Sequence, residues 1–157
     1  MTREKKQSVR NIAFCFALLS FGFTLLSVSG TGAPKNMLDQ FKWKNRIILL
    51  TASTALDQQL AQQLELLSGK NDALADRDLI IIQLLSDSSS FIEGEVLSQK
   101  HAAEIRSRFE TSKLGFEILL IGKDGTVKLR SKKPVSSDQL FTLIDSMPMR
   151  QREMRND

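Results

Sequence analysis

Two short runs constrain this chain more than anything else in it. Ile47-Ile48-Leu49-Leu50-Thr51-Ala52 and Leu79-Ile80-Ile81-Ile82-Gln83-Leu84-Leu85 are continuous apolar stretches rich in β-branched residues. Each has the length of one strand and is too short for a buried helix. A strand that is apolar at nearly every position, rather than at alternate ones, is covered on both faces. Between the runs, Leu56, Leu60, Leu64 and Leu67 recur at spacings of four, four and three, an amphipathic helical stripe. Ser53 or Thr54 is placed to cap that helix, and Ser68-Gly69 to end it. Strand, helix and strand in this order predict a parallel pair joined by a right-handed crossover. Whatever this chain folds into must be built around that pair.

The remainder extends the pattern. A polar stretch, SDSSSFIEGEVLSQK, reads as a flexible connection to a second helix, with Ala102, Ile105 and Phe109 on one face and a Glu104–Arg108 pair on its wet side. Phe116 to Ile121 is a third strand and Thr126 to Arg130 a fourth. Between them Asp124-Gly125 signals a hairpin, either a two-residue type I′ turn or a type I turn with Gly125 left-handed in a bulge. A last helix opens on a Ser136/Gln139 capping box, with Val135 stapled to Leu140, and is expected to close at Pro148. The charged residues 151–157 then read as a tail.

The order β-α-β-α-β-β-α is that of a minimal thioredoxin-like α/β fold. It implies a four-stranded mixed sheet, strand order 4-3-1-2, with helices on both faces. Three stretches carry a closer resemblance: Phe41-Lys42-Trp43-Lys44-Asn45-Arg46, Asp76-Arg77-Asp78 and LLIGKDGTVKLR. They resemble the P-DUDES domain, a domain of unknown function in bacterial exported proteins and in animal extracellular proteins of the sushi-repeat, Equarin and DRO1 type. The resemblance covers about residues 37–150, and it implies a thioredoxin-like, peroxiredoxin-related fold with no established enzymatic activity.

The first thirty residues differ in kind. A basic opening, MTREKKQSVR, runs into seventeen largely apolar residues from Ile12 to Val28, followed by Ser29, Gly30 and Gly32. That is the make-up of a secretory signal peptide, cut after Ser29 or Gly30, with an uncleaved membrane anchor over residues 12–28 as the alternative. Either way the remainder is expected outside the cytoplasm, in a periplasm or beyond, with residues 31–36 as a linker and 37–150 as the domain. Residues 1–30 have a net charge of +3, so of the chain's +4 only about +1 belongs to the rest. A nearly neutral domain gives no support to nucleic-acid binding. Cys15 is the only cysteine and lies inside the apolar run, so the domain has no thiolate nucleophile, redox dithiol or disulfide.

Chemistry is correspondingly thin. Thioredoxin-type enzymes place their nucleophile where the first strand meets the first helix. Here that corner reads Thr51-Ala52-Ser53-Thr54, and Ser112-Lys113-Leu114-Gly115 stands where such enzymes carry a cis-proline. His101 is the only histidine; with Ser53, and with Glu93 or Glu95 nearby in sequence, it could form a non-thiol hydrolase site, though a lone histidine at a helix end is more often simply solvated. Glu93 and Glu95 have no metal-ligand spacing, and no cofactor, metal or catalytic residue is expected. Gly122 and Gly125 lack the spacing of a phosphate loop.

Topology places the hairpin beside the beginnings of the first two strands. This predicts a cluster of Trp43, Arg46, Arg77, Asp78 and Asp124, with Trp43 packed under the hairpin and Arg46 or Arg77 bonded to Asp78 or Asp124. It would serve either as a lock on the strand ends or as a surface for an envelope protein or small ligand. Lys128 and Arg130 should share one face of an edge strand, blocking edge pairing or, with Lys132 and Lys133, forming an anion-binding stripe.

Overall fold

The computed structural model describes residues 36–156. The signal or anchor segment, Cys15, most of the linker and Asp157 lie outside the described residues.

The two apolar runs form β1 (Arg46–Ala52) and β2 (Leu79–Leu85), paired in parallel from Arg46↔Leu79 to Ala52↔Leu85. Residues 117–121 form β5, antiparallel to β1, and residues 127–131 form β6 on the outer edge. Much of the polar connection after β2 is strand rather than loop, with Ser90 itself paired in the sheet. Ser90–Ile92 (β3) and Glu95–Leu97 (β4) make a hairpin that widens the sheet to six strands in the order β4-β3-β2-β1-β5-β6. Glu93 and Gly94 are both left-handed, with φ of 48° and 82°, which is the backbone of a type I′ turn. Ser90 Oγ anchors the first of these strands by accepting from Leu85 N–H at 3.1 Å. The expected four strands therefore stand in the expected order, β6-β5-β1-β2, and the expectation of a four-stranded sheet was two strands short.

Helices cover both faces. α1 (Gln58–Leu67) and α4 (Ser137–Asp145), with the short α2 (Asn71–Asp76), pack Leu60, Leu67, Leu74, Leu140 and Ile144 over Ile48, Leu50, Ile118 and Leu120. On the other face α3 (Gln99–Phe109) and a 3-10 turn (Met37–Phe41) bring Leu38, Ala102, Ile105 and Phe109 onto Ile47, Leu49, Ile82, Leu84 and Leu119. Alternate residues of β1 thus enter two different cores, which is why the run from Ile47 to Ala52 is apolar at every position but Thr51. Among the described residues, no helix is long and apolar enough to cross a membrane.

Local details depart from the sequence reading. α1 starts later than its leucine stripe: Asp57 is its cap, accepting from Gln59 and Leu60 N–H, and Leu56 stands 91% exposed outside it. Arg108 pairs with Asp39 at 3.2 Å rather than with Glu104. The Ser136/Gln139 capping box is present, and Val135 and Leu140 share one core. α4 ends at Asp145, before Pro148, and the chain continues as α5 (Pro148–Asn156). Proline suits the first position of a helix, where its missing N–H costs nothing. Residues 151–156, read as part of a charged tail, are therefore helical.

Candidate functional site

Parallel pairing of β1 with β2, and antiparallel pairing of β5 with β1, bring the beginnings of β1 and β2 beside the β5–β6 hairpin. Trp43 N–H donates to Lys123 carbonyl at 2.7 Å, and Arg46 N–H to Asp78 carbonyl at 2.9 Å. Arg46 is 1% exposed. Its guanidinium donates to the Arg77 carbonyl at 2.9 Å and to Glu153 at 3.0 Å. Glu153 also accepts from Lys123 at 2.7 Å, and Lys123 donates in turn to Asp78 at 2.7 Å. Arg150, also buried, donates to the Asp76 carbonyl at 2.8 Å and to the carboxylates of Asp76 and Asp145. Arg77 bonds Asp145 at 2.6 Å and Asp76 at 3.1 Å while lying over the Phe141 ring.

These contacts join Arg46, Arg77, Lys123 and Arg150 to Asp76, Asp78, Asp145 and Glu153 in one balanced network. Burial pushes the Glu153 carboxyl up, but the bonds from Lys123 and Arg46 outweigh it and hold the group below its usual range. Burial likewise opposes the charge on Arg150, and the carboxylates of Asp76 and Asp145 raise its pKa in spite of it.

The expected residues meet at this end, with different partners. Neither Arg46 nor Arg77 bonds the carboxylate of Asp78 or Asp124; their acidic partners are Glu153 for Arg46 and Asp76 and Asp145 for Arg77. Trp43 is tied to the hairpin by its backbone alone. Its side chain is 62% exposed, flanked by exposed Lys42 and Lys44, with Lys42 Nζ 5.6 Å from the ring centre. The backbone of Trp43 is left-handed (φ 66°), a conformation that bulky residues rarely adopt. Asp124 closes the turn by accepting from Thr126 and Lys128. Burial raises the pKa of that carboxyl, but the bonds from Lys128 and Thr126 bring it below the ordinary value.

The turn has Gly125 left-handed (φ 80°) and a Gly125 N–H to Gly122 carbonyl bond of 2.8 Å, the type I alternative. The register shifts between Leu120 and Ile121, leaving Lys128 unpaired in a bulge. Its side chain lies across Gly122, where a Cβ would come within 2.6 Å of the Lys128 stem. Arg130 donates to Glu117 at 3.1 Å and to the Phe109 carbonyl at 2.6 Å. Lys128 is thus engaged by Asp124 and Arg130 by Glu117.

Sequence reasoning missed Arg150 and Glu153 because it closed the last helix at Pro148 and read no element beyond it, and missed Asp145 because no local pattern couples it to Arg77 or Arg150. The signal was Pro148 as a helix opener, with Arg150 and Glu153 three residues apart on one face.

The opposite end of the sheet holds the corner between β1 and α1. Ser53 Oγ accepts from Gly115 N–H at 2.8 Å, and the Ser53 carbonyl accepts from Ser86 and Asp87 N–H. The corner is thus a clasp binding three loops together. His101 lines a separate hollow with Met37, Phe41, Glu93 and Glu95, so Ser53 and His101 are not brought together. Glu93 accepts from Ile81 N–H, and no group of three potential metal ligands occurs among the described residues. Beside α3 opens a larger hollow of about 710 Å³, lined by serine hydroxyls, Arg106 and Lys113.

Comparison with known proteins agrees with this architecture. Coiled-coil domain-containing protein 80 of Danio rerio is 29% identical over 136 residues, covering 76% of this chain and 16% of that protein. Sushi repeat-containing protein SRPX2 of Xenopus laevis is 26% identical over 132 residues, covering 82% of this chain and 28% of that protein. The chain therefore spans less than a third of either relative. Among solved structures, a reduced 2-Cys peroxiredoxin of Plasmodium vivax superposes with a TM-score of 0.53 at 16% identity, covering 74% of this chain and 84% of that one. At that identity the likeness shows the fold alone, which is thioredoxin-like. A family model described as "Domain of unknown function (DUF4174)" matches residues 37–153, and the chain belongs to that family.

Proposed function

We propose that this chain is an exported, non-catalytic thioredoxin-like module that docks a cell-envelope protein through the end of the sheet that carries Trp43. The observation that carries the reading is Trp43 itself. A tryptophan held 62% exposed, in a left-handed backbone pinned to the hairpin, leaves most of its surface to solvent. Exposed tryptophans flanked by cations are efficient anchors in protein interfaces. Lys42 and Lys44 on either side select a partner that offers an apolar pocket with an acidic rim. The basic opening and apolar run of residues 1–28 support export. The absence of thiol chemistry follows from a corner made of Thr51, Ala52, Ser53 and Thr54 in a chain whose single cysteine is Cys15.

The test is a photo-crosslinking amino acid at position 43 in intact cells, followed by mass spectrometry of the adducts and of the mature N-terminus. One dominant envelope-protein adduct, reduced by Lys42→Glu with Lys44→Glu, and a chain beginning at Gly30 or Thr31 are expected. Turnover of a substrate by purified protein, with no adduct at position 43, would overturn the reading.

A further inference from the structure

We propose that the hollow beside α3 binds a small hydroxylated molecule bearing one oxyanion group, a phosphate or a carboxylate. This site lies away from Trp43 and stands or falls independently of it.

Charge comes first. Arg106 and Lys113 line the hollow, and no carboxylate does. Neither forms a salt bridge among the described residues, whereas most of the other arginines of the fold's interior are paired with acids. The Arg106 guanidinium donates through Nη1 to the Ser112 carbonyl at 3.3 Å. Its Nη2 is shielded from solvent and has no partner, and the same is true of Oγ1 of Thr111, another residue that lines the hollow. The half-buried guanidinium thus has one backbone acceptor and no carboxylate, and an oxyanion is the partner that such a group fits best. Burial holds the Arg106 pKa below its ordinary value, as expected where desolvation has no compensating carboxylate.

Shape and lining define the rest of the ligand. A volume of about 710 Å³ lies within the usual range for small-molecule sites. Ser88, Ser89 and Ser107 present hydroxyls with no side-chain bond among the described residues, matching a ligand with hydroxyls of its own. Leu85, Leu97 and Ala102 form an apolar floor, so the ligand's carbon skeleton can be buried as well. The start of α3, at Ser98 and Gln99, also opens here and adds its positive end to the field.

Isothermal titration of the full chain at fixed ionic strength tests this, with glycerol 3-phosphate, gluconate, inorganic phosphate and uncharged glycerol as probes. Saturable one-site binding of glycerol 3-phosphate or gluconate is expected, and the tighter of the two identifies the headgroup. Arg106→Gln should weaken it at least tenfold. Ala103→Trp should do the same by filling the hollow from an exposed position on α3, leaving the buried face of that helix intact. This second variant decides the matter if Arg106→Gln fails to fold. Arg152→Gln, at the other end of the sheet, should change affinity by less than twofold. The proposal is overturned if neither organic anion saturates, if glycerol or inorganic phosphate binds as tightly as glycerol 3-phosphate, or if Arg152→Gln matters as much as Arg106→Gln.

Discussion

Where β1 and β2 begin, four cations meet four carboxylates, and the two most buried, Arg46 and Arg150, have acidic partners and backbone acceptors. Where the same strands finish, Arg106 and Lys113 border a hydroxyl-lined hollow that contains no carboxylate. Charges at the first end are locked into the fold by one another. Arg106 and Lys113 at the second have no acidic partner, and an unmatched charge is one that a ligand can still engage. Proximity alone therefore says little about function. Pairing separates a structural arginine from an available one, and by that measure the groups left unpaired at the first end include Arg152 and the lysines that flank Trp43.

The hardest test of this contrast is to remove one acid from the locked end. Glu153→Ala leaves Arg46 buried with only the Arg77 carbonyl, and leaves Lys123 with only Asp78. Breaking a buried pair by deleting one partner costs about 3–5 kcal/mol. Arg106→Gln, at the open end, should cost less than about 1 kcal/mol, since the only side-chain bond of Arg106 goes to one backbone carbonyl. Urea denaturation of both variants checks the difference, and equal losses would erase the distinction between the ends.

Acid should find the locked end next. The folded pKa of Glu153 is depressed below its ordinary 4.5, so its bonds contribute stability that is fully present above that pH. The contribution is lost as pH falls from about 4.5 through the lower folded value. Asp124 acts in the same direction from its ordinary 3.8. Wild-type protein should therefore lose stability steeply below about pH 4.5, while Glu153→Gln, already weaker at neutral pH, should show a shallower acid slope. Denaturation midpoints across pH 3 to 7 measure it, and parallel slopes would remove Glu153 from the account.

The contrast also marks where sequence was legible. β1, β2, the β5–β6 hairpin and the Ser136 cap were readable because each rests on a local rule: continuous apolar runs, an Asp-Gly turn, a capping box. The β3–β4 hairpin was not, since three-residue strands give too little alternation and Ser88-Ser89-Ser90 resembles a loop. Its one signal was the Glu93-Gly94 turn. The convergence of Trp43, Arg46, Arg77, Asp78 and Asp124 came from topology. Their partners did not, because Asp145, Arg150 and Glu153 are up to 107 residues away in sequence and no local pattern couples them. The hollow was invisible for the same reason: β2, β4, α3 and the loop after it each contribute a few unremarkable polar residues.

At the corner of β1 and α1, Ser53→Ala deletes the acceptor for Gly115 N–H and should cost about 1 kcal/mol. It should leave glycerol 3-phosphate affinity at the hollow unchanged. Any esterase or phosphatase turnover should be equally insensitive to Ser53→Ala and to His101→Ala, because Ser53 is engaged by Gly115 N–H and is not among the residues of the hollow that His101 lines. A matched loss of turnover in both variants would revive a hydrolytic reading of that end.

The smallest stability change is expected at Trp43, and it is the most informative. Its φ of 66° places a bulky side chain in backbone space where L-residues are strained by about 1–2 kcal/mol. Glycine adopts that conformation freely but loses more freedom on folding, by roughly 0.5–1 kcal/mol. With the ring 62% exposed, little packing is lost. Trp43→Gly should thus change stability by less than about 1 kcal/mol, toward the stable side, while Trp43→Ala keeps the strain and loses the ring. If both variants fold as well as wild type but lose the envelope adduct of a crosslinker placed at the neighbouring exposed Lys44, the strain at Trp43 is maintained for display. A loss of about 2 kcal/mol or more in Trp43→Gly, the scale of a buried aromatic's packing, would instead make the ring part of the lock. The two ends of the sheet would then differ only in how tightly each is fastened.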